Sequence, residues 1–320
     1  MQTYIIRRVL LIIPTLFLVT TIIFLSIRLI PGDVIELMVQ EIGGRGYQDT
    51  QKTLAEMRHT MGLDIPIHIQ YGNWLADAFQ GDLGKSLWTE EPIANELGAR
   101  IPVSVELGIF AIITGLMLAI PVGVYSAIRQ DTKGDYAGRT IAILAISLPN
   151  FWIATMVVVY PSIYWNWSPP LEYIPPGDHL LDNIKQFILP GFIMGLFYAG
   201  MIMRMTRTMM LEILRQDYIR TAWAKGLRER TVIFRHAVRN ALIPVVTIIG
   251  LQAPTLFGGS VVIEQVFTLP GVGRFLIEAI NKRDYPVIVA INLLFAVAVL
   301  IINLLVDLTY AWLDPRVKYK

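Results

Sequence analysis

The chain has no cysteine among its 320 residues. That excludes a disulfide framework, a thiolate nucleophile and a zinc ribbon, and leaves the redox compartment unmarked. Charge is also scarce. Asp, Glu, Lys and Arg make up 16% of the residues, where a soluble domain carries roughly 25%, so the chain lacks the polar surface a globule of this length needs. Its 27 basic and 25 acidic residues leave a net charge of +2, too balanced for a nucleic-acid binder. Histidine is limited to His59, His68, His179 and His236. These lie far apart with no second ligand at helical spacing, so no metal site is expected. A nucleotide loop is missing as well. Gly84-Lys85-Ser86 ends like a phosphate-binding loop, but the glycine required five positions before Gly84 is replaced by Phe79. No catalytic pair lies at one depth, and no catalytic residue is expected.

What the chain has in excess is apolar length: 54% of residues are hydrophobic and the mean hydropathy is +0.55. Runs fall at 9–30, 102–128, 140–164, 187–205, 241–263 and 286–313. About 20 residues at about 1.5 Å each cross a hydrocarbon layer of about 30 Å, and the run 187–205 is the shortest. The first run follows Arg7 and Arg8 and ends in Leu29-Ile30-Pro31-Gly32-Asp33. It exceeds the about 7–15 apolar residues of a cleaved signal peptide and reads as an uncleaved anchor. With residue 1 inside, the inner segments hold 17 Lys and Arg and the outer segments 9. The 204–239 segment, with nine basic residues in 36 positions, belongs inside. The expectation is an all-α polytopic membrane protein: six transmembrane helices in one domain over 1–320, both termini cytoplasmic.

Two segments are too long to be connectors. The outer segment 31–101 holds 11 acidic and 5 basic residues. Within it Met57–Leu63 and Ile67–Phe79 have the apolar spacing of short amphipathic helices. This segment caps the span ends or receives an external partner, and the two readings are compatible. The inner segment 204–240 divides into a helical stretch from Thr206 to Lys225, a turn at Gly226, and a second stretch from Arg230 to Ala241. It suits an anionic lipid surface, and its small residues and sharp turn equally suit a protein cleft.

Ionisable groups avoid the middle of the spans. Glu106 and Glu264 fall at outer ends, and Asp307 falls about two turns from an inner end. An ion-coupled carrier places such groups at mid-membrane, so that class loses support. Pro149, Pro190 and Pro254 interrupt helical hydrogen bonding within spans and offer hinges or free carbonyls. Gln252, Thr255 and Ser260 lie on or near one side of the fifth span. With Asn150 they are the candidates for a substrate pathway, helix–helix hydrogen bonding being the alternative use.

Asp217-Tyr218-Ile219-Arg220-Thr221-Ala222-Trp223-Ala224-Lys225-Gly226-Leu227 and its continuation Phe234 to Pro244 resemble the EAA loop of ABC-transporter permeases of the dipeptide/oligopeptide/nickel group. Gly258-Gly259-Ser260-Val261-Val262-Ile263-Glu264, Leu269-Pro270-Gly271-Val272-Gly273-Arg274 and Arg283-Asp284-Tyr285-Pro286-Val287 are similar to the same group. So are Arg28 to Asp33, Gly81 to Ser86 and Ser147 to Trp152. The glutamate that names the motif aligns with Arg220, so no role for that glutamate carries over. The resemblance implies the type I importer architecture, with Asp217, Tyr218, Arg220, Thr221, Ala222, Lys225, Gly226 and Leu227 forming the loop that couples to ATPases. It implies four kinds of company: a second related permease, two cytoplasmic ATP-binding subunits, an extracytoplasmic solute-binding protein and the lipid of a bacterial or archaeal cell membrane. ATP and Mg would then sit on the partner subunits, with no cofactor and no enzymatic activity on this chain. Peptide is the group's commonest cargo. Nickel or an oligosaccharide, a non-transporting membrane scaffold and an ion-coupled secondary carrier are the alternatives.

Overall fold

A computed structural model describes residues 2–28, 59 and 64–313 of the chain. The helices are α1 (Gln2–Arg28), α2 (Ile67–Phe79), α3 (Ile93–Ile128), α4 (Lys133–Ser147), α5 (Asn150–Trp165) and α6 (Leu180–Leu214). They continue as α7 (Asp217–Ala224), α8 (Glu229–Gln252), α9 (Thr255–Val266), α10 (Val272–Lys282) and α11 (Tyr285–Leu313). Among the described residues, α3, α6, α8 and α11 are each long and apolar enough to cross a membrane. The pair α4 and α5 makes a fifth such span if its 90° break is counted as one crossing. The chain is a helical, multi-pass membrane protein.

The chain forms two compact units. Among the described residues, one contains Arg274–Ile301 together with those up to Pro102; the other contains Val103–Gly273 and residues 302–313.

In the first unit α2 spans the stretch whose periodicity announces it, whereas Met57–Leu63 lies outside the described residues apart from His59. Tyr71 on α2 stands 2.9 Å from both Thr20 and Thr21 of α1 and packs on Phe24 at 5.2 Å. The rest of α1 presents Leu10, Leu11, Ile13 and Phe17 outward, each more than half exposed, as a lipid-facing helix must. The phosphate-loop look-alike has a different occupation here. The Ser86 hydroxyl donates to Asp284 Oδ2 at 2.6 Å and the Leu87 amide to Oδ1 at 3.3 Å. The Trp88 indole donates to the Lys282 carbonyl at 2.8 Å. The loop thus wraps a carboxylate of its own chain. Burial pushes the Asp284 carboxyl above its ordinary value, opposed by the Ser86 hydroxyl and the Leu87 amide.

The second unit is built round α6. Its apolar window is 67% buried, against 33% for α3 and 35% for α8. The run 187–205 looked short because only that part is uniformly apolar; packing extends the helix through amphipathic turns to 35 residues. Phe187, Ile193, Met194 and Met203 pack with Leu107 and Ala111 of α3, Val245 of α8 and Ile263 of α9. The crossing of α3 and α6 uses small residues, which let backbones approach where lipid provides no hydrophobic drive. A Cβ on Gly195 would lie 2.7 Å from the Ala111 carbonyl and collide with Thr114 Oγ1. Gly195→Leu is therefore expected to cost about 1–3 kcal/mol by overpacking, read as a lower melting temperature in detergent. A melting temperature equal to wild type would show that the crossing contributes nothing.

The three prolines behave differently. Pro149 breaks the helix. Leu148, forced extended by the following proline (ψ 127), ends α4, and α5 begins at Asn150. Pro254 ends α8 at a turn. Pro190 ends no helix: lacking an N–H it removes one bond of the ladder, but α6 runs through it, packed on most sides. Glu264 lies two residues from the end of α9. It is fully buried, with the Ser104 hydroxyl donating to Oε1 at 2.7 Å while Ser104 Oγ accepts the Val272 amide at 2.8 Å.

Candidate functional site

The basic inner segment begins where α6 stops. The helix ends at Leu214, and Arg215 and Gln216 form a turn before α7. The stretch from Thr206 to Lys225 is thus two helices rather than one, because Gln216 adopts an extended conformation (ψ 148) and redirects the chain. Asp217 opens α7, where a negative charge favours a helix N-terminus. Arg220 reaches it at 3.4 Å across exposed surface, a contact worth little in water. Thr221 returns its hydroxyl to the Asp217 carbonyl at 2.9 Å. Lys225 caps the helix and Gly226 follows at φ +71°. The Gly226 amide donates to Trp223 O at 2.9 Å and the Leu227 amide to Ala222 O at 3.4 Å. These two bonds make the glycine-terminated helix end known as the Schellman motif.

The second limb is α8. It contains a seven-residue π-helical stretch, Val232–Val238, before ordinary helix resumes at Arg239. The expected second stretch, Arg230 to Ala241, is the first part of this longer helix. One face of the hairpin is locked: Ile219 and Ala222 are buried with Val232, Ile233 and Ala237 of the other limb, Met210 of α6, and Val124 and Ala127 of α3. Asn240 ties the limbs together by donating to the Tyr218 hydroxyl at 2.9 Å and to the His236 carbonyl at 3.0 Å. The other face is open. Tyr218, Trp223, Leu227 and Phe234 are 42%, 45%, 38% and 60% exposed, among the exposed Arg220, Lys225, Arg228, Arg230 and Arg235. Aromatics interleaved with arginine are the composition of a protein-binding surface.

The hairpin's root is clamped by an ion pair. Arg207 on α6 donates through Nε and Nη2 to the two oxygens of Asp135 on α4, each at 2.8 Å. Asp135 is fully buried and also accepts from the Ser126 hydroxyl and, at 3.0 Å, from the Asp131 amide. The Arg207 guanidinium holds the Asp135 carboxyl well below the usual carboxylate range, against the opposing effect of burial. Counting charges assigns Arg207 only to a side of the membrane; that it is buried and paired is a tertiary fact. Asn240 and the π stretch likewise carry no local signal.

The three pathway candidates whose side chains are described, Asn150, Gln252 and Ser260, are not brought together. Asn150 stands at the α4–α5 break, where an open groove of about 330 Å³ is lined by Ser147, Pro149, Phe151, Phe197 and Gly259 as well. Ser260 is buried and donates to the Phe257 carbonyl of its own helix at 3.0 Å. Gln252 donates to Met201 Sδ at 3.0 Å beside Tyr198 and Ile249. The side chain of Thr255 lies outside those described.

Two family models match: the binding-protein-dependent transport system inner membrane component over residues 119–319, and the N-terminal part of such membrane components over residues 1–108. The chain is 39% identical to a dipeptide transport system permease protein, DppB, of Alkalihalophilus pseudofirmus, over the whole of both chains. It is 38% identical to an oligopeptide transport system permease protein, AppB, of Bacillus subtilis, and 36% identical to a glutathione transport system permease protein, GsiC, of Salmonella choleraesuis, again over all of each. A solved amino acid ABC transporter shares the fold at a TM-score of 0.52 and 11% identity, covering 68% of this chain and 94% of that one.

Proposed function

We infer, from the premise that this chain belongs to the binding-protein-dependent transport system inner membrane components, that it is one of two permease subunits of an importer worked by separate ATPases. Its partners on this reading are a second, related permease, two cytoplasmic ATP-binding subunits that carry ATP and Mg, and an extracytoplasmic binding protein in a bacterial or archaeal cell membrane. The observation that carries the reading is the α7–α8 hairpin: one face locked into the core, the other offering Tyr218, Trp223, Leu227 and Phe234 among arginines. A rigid hairpin transmits displacement that a loose loop would absorb. Moving a gate from 1:99 to 99:1 needs about 5.5 kcal/mol of differential binding. The bias enters at Asp217–Leu227 from a docked motor, and α6 and α8 carry it toward the spans. The relatives named for dipeptide, oligopeptide and glutathione favour a peptide cargo over nickel or an oligosaccharide.

Reconstitution with the three kinds of partner tests this. Liposomes holding the complete set are expected to accumulate a labelled dipeptide only when ATP is supplied, and replacing 217–227 by a flexible linker is expected to release the ATPases on purification. Uphill uptake by this chain alone in an ion gradient would make it a secondary carrier and overturn the proposal.

A further inference from the structure

The α4–α5 break is unusual for a membrane helix. The carbonyls of Ile146, Ser147 and Leu148 and the amides of Asn150 and Phe151 have no partner among the described residues. Unpaired main chain at membrane depth is tolerated only where it is buried in protein or lines a watered cavity, and a groove of about 330 Å³ opens at this point. That volume is at the lower end of the about 300–1,000 Å³ of small-molecule sites. Asn150 Oδ1 is shielded and has no hydrogen-bond partner, so turning toward an incoming N–H sacrifices no bond. The groove is also lined by Gly259, in the middle of α9, where glycine weakens a helix. Packing within the chain does not explain it: a Cβ there would meet only Met194 Cε, at an ordinary 3.6 Å. What the missing side chain leaves is room in the groove.

We propose that this groove is where the permease holds the main chain of a short peptide in transit, an inference that rests on the importer reading above. Carbonyls and amides presented together complement the N–H and C=O groups of a peptide. The lining carries no charged side chain, so recognition is by main chain and cargo side chains go unread. Gly259 sets the width.

The test uses the complete importer in liposomes with tritiated di-alanine and tri-alanine. Gly259→Leu is expected to cut uptake about tenfold or more, the scale on which one or two methylene groups discriminate in an apolar pocket. Gly259→Ala, whose methyl the chain accommodates, is expected to melt no lower than wild type and yet to lose more tri-alanine than di-alanine uptake. Gly258→Leu, one position along the same helix and outside the groove lining, is expected to retain uptake. Normal uptake by Gly259→Leu overturns the proposal. So does an equal loss in both leucine variants, or a Gly259→Leu complex that purifies without the second permease, since either marks a permease–permease contact. If the wild-type complex imports neither peptide, the importer-for-peptides reading fails instead, independently of the groove.

Discussion

Gly226→Val is expected to abolish most uptake while the partner ATPases continue to hydrolyse ATP. At φ +71° an L-residue costs about 1–2 kcal/mol, and a β-branched one is the least tolerant. The helix end cannot keep both terminal bonds, Gly226 to Trp223 and Leu227 to Ala222, if that residue relaxes to negative φ. Leu227 then leaves its place, and the surface presented by Tyr218, Trp223 and Leu227 loses its shape. Since each about 1.4 kcal/mol is tenfold in an equilibrium, loss of the turn and of the docking surface together is expected to lower uptake per ATP by more than tenfold. A Cβ at 226 meets nothing within 4 Å, so Gly226→Asn, which tolerates the left-handed region, is expected to keep most coupling. The measurement is uptake divided by ATP hydrolysed in the same liposomes. Tight coupling in the valine variant would remove the hairpin from the force path; equal loss in the asparagine variant would mean that a partner occupies the space over Gly226.

Asp135→Ala is expected to be the most destabilising single substitution in the second unit. It strands Arg207, only 17% exposed, and deprives the Ser126 hydroxyl and the Asp131 amide of their acceptor. Breaking a buried pair from one side costs about 3–5 kcal/mol, whereas replacing both partners by apolar residues costs much less. The paired variant Asp135→Leu, Arg207→Met is therefore expected to recover much of the melting temperature lost by the single change. The pH dependence has a definite sign. Asp135 has a lowered folded value, so its contribution is complete above its ordinary carboxylate value of 3.8 and is lost as pH falls through the lowered one. The wild-type advantage over Asp135→Ala should be constant from pH 6 to 8, well above the about 4 of a free carboxyl, and shrink only in strong acid. An advantage that vanished between pH 8 and 6 would assign it to some other group.

Features set by nearest neighbours were legible without coordinates. Ile67–Phe79 shows its helix because apolar residues recur three and four apart, Gly226 shows its turn because few other residues accept positive φ, and Pro149 shows its break because proline forces its predecessor extended. The same reasoning could not separate Pro190, where the helix continues, from Pro149, where it ends, since enclosing packing decides whether a helix survives a proline. The run 187–205 understates the helix that carries it, because a hydropathy run measures where lipid is tolerated rather than how far hydrogen bonding extends. Gly84-Lys85-Ser86 offered no hint of its acceptor, which comes from 198 residues further along the chain. Within the candidate site, the residues proposed to couple form a contiguous motif that a sequence displays. Asn240, Arg207 and Asp135 were passed over because each works through a partner on another helix. Among the pathway candidates Asn150 lines the groove at the α4–α5 break, and Ser260 turns back to its own helix.

Amino-acid order alone thus determined that this protein is helical, lives in a membrane and carries a basic hairpin with a glycine at its tip, since apolar length, charge count and a left-handed turn are local quantities. Only the tertiary structure decided that Asp135 and Arg207 clamp the hairpin's root, that a serine loop closes on Asp284, and that Asn150 and Gly259 line one groove. Those depend on which helices meet, and side-chain pairing across a helix crossing leaves no periodicity for a sequence to show.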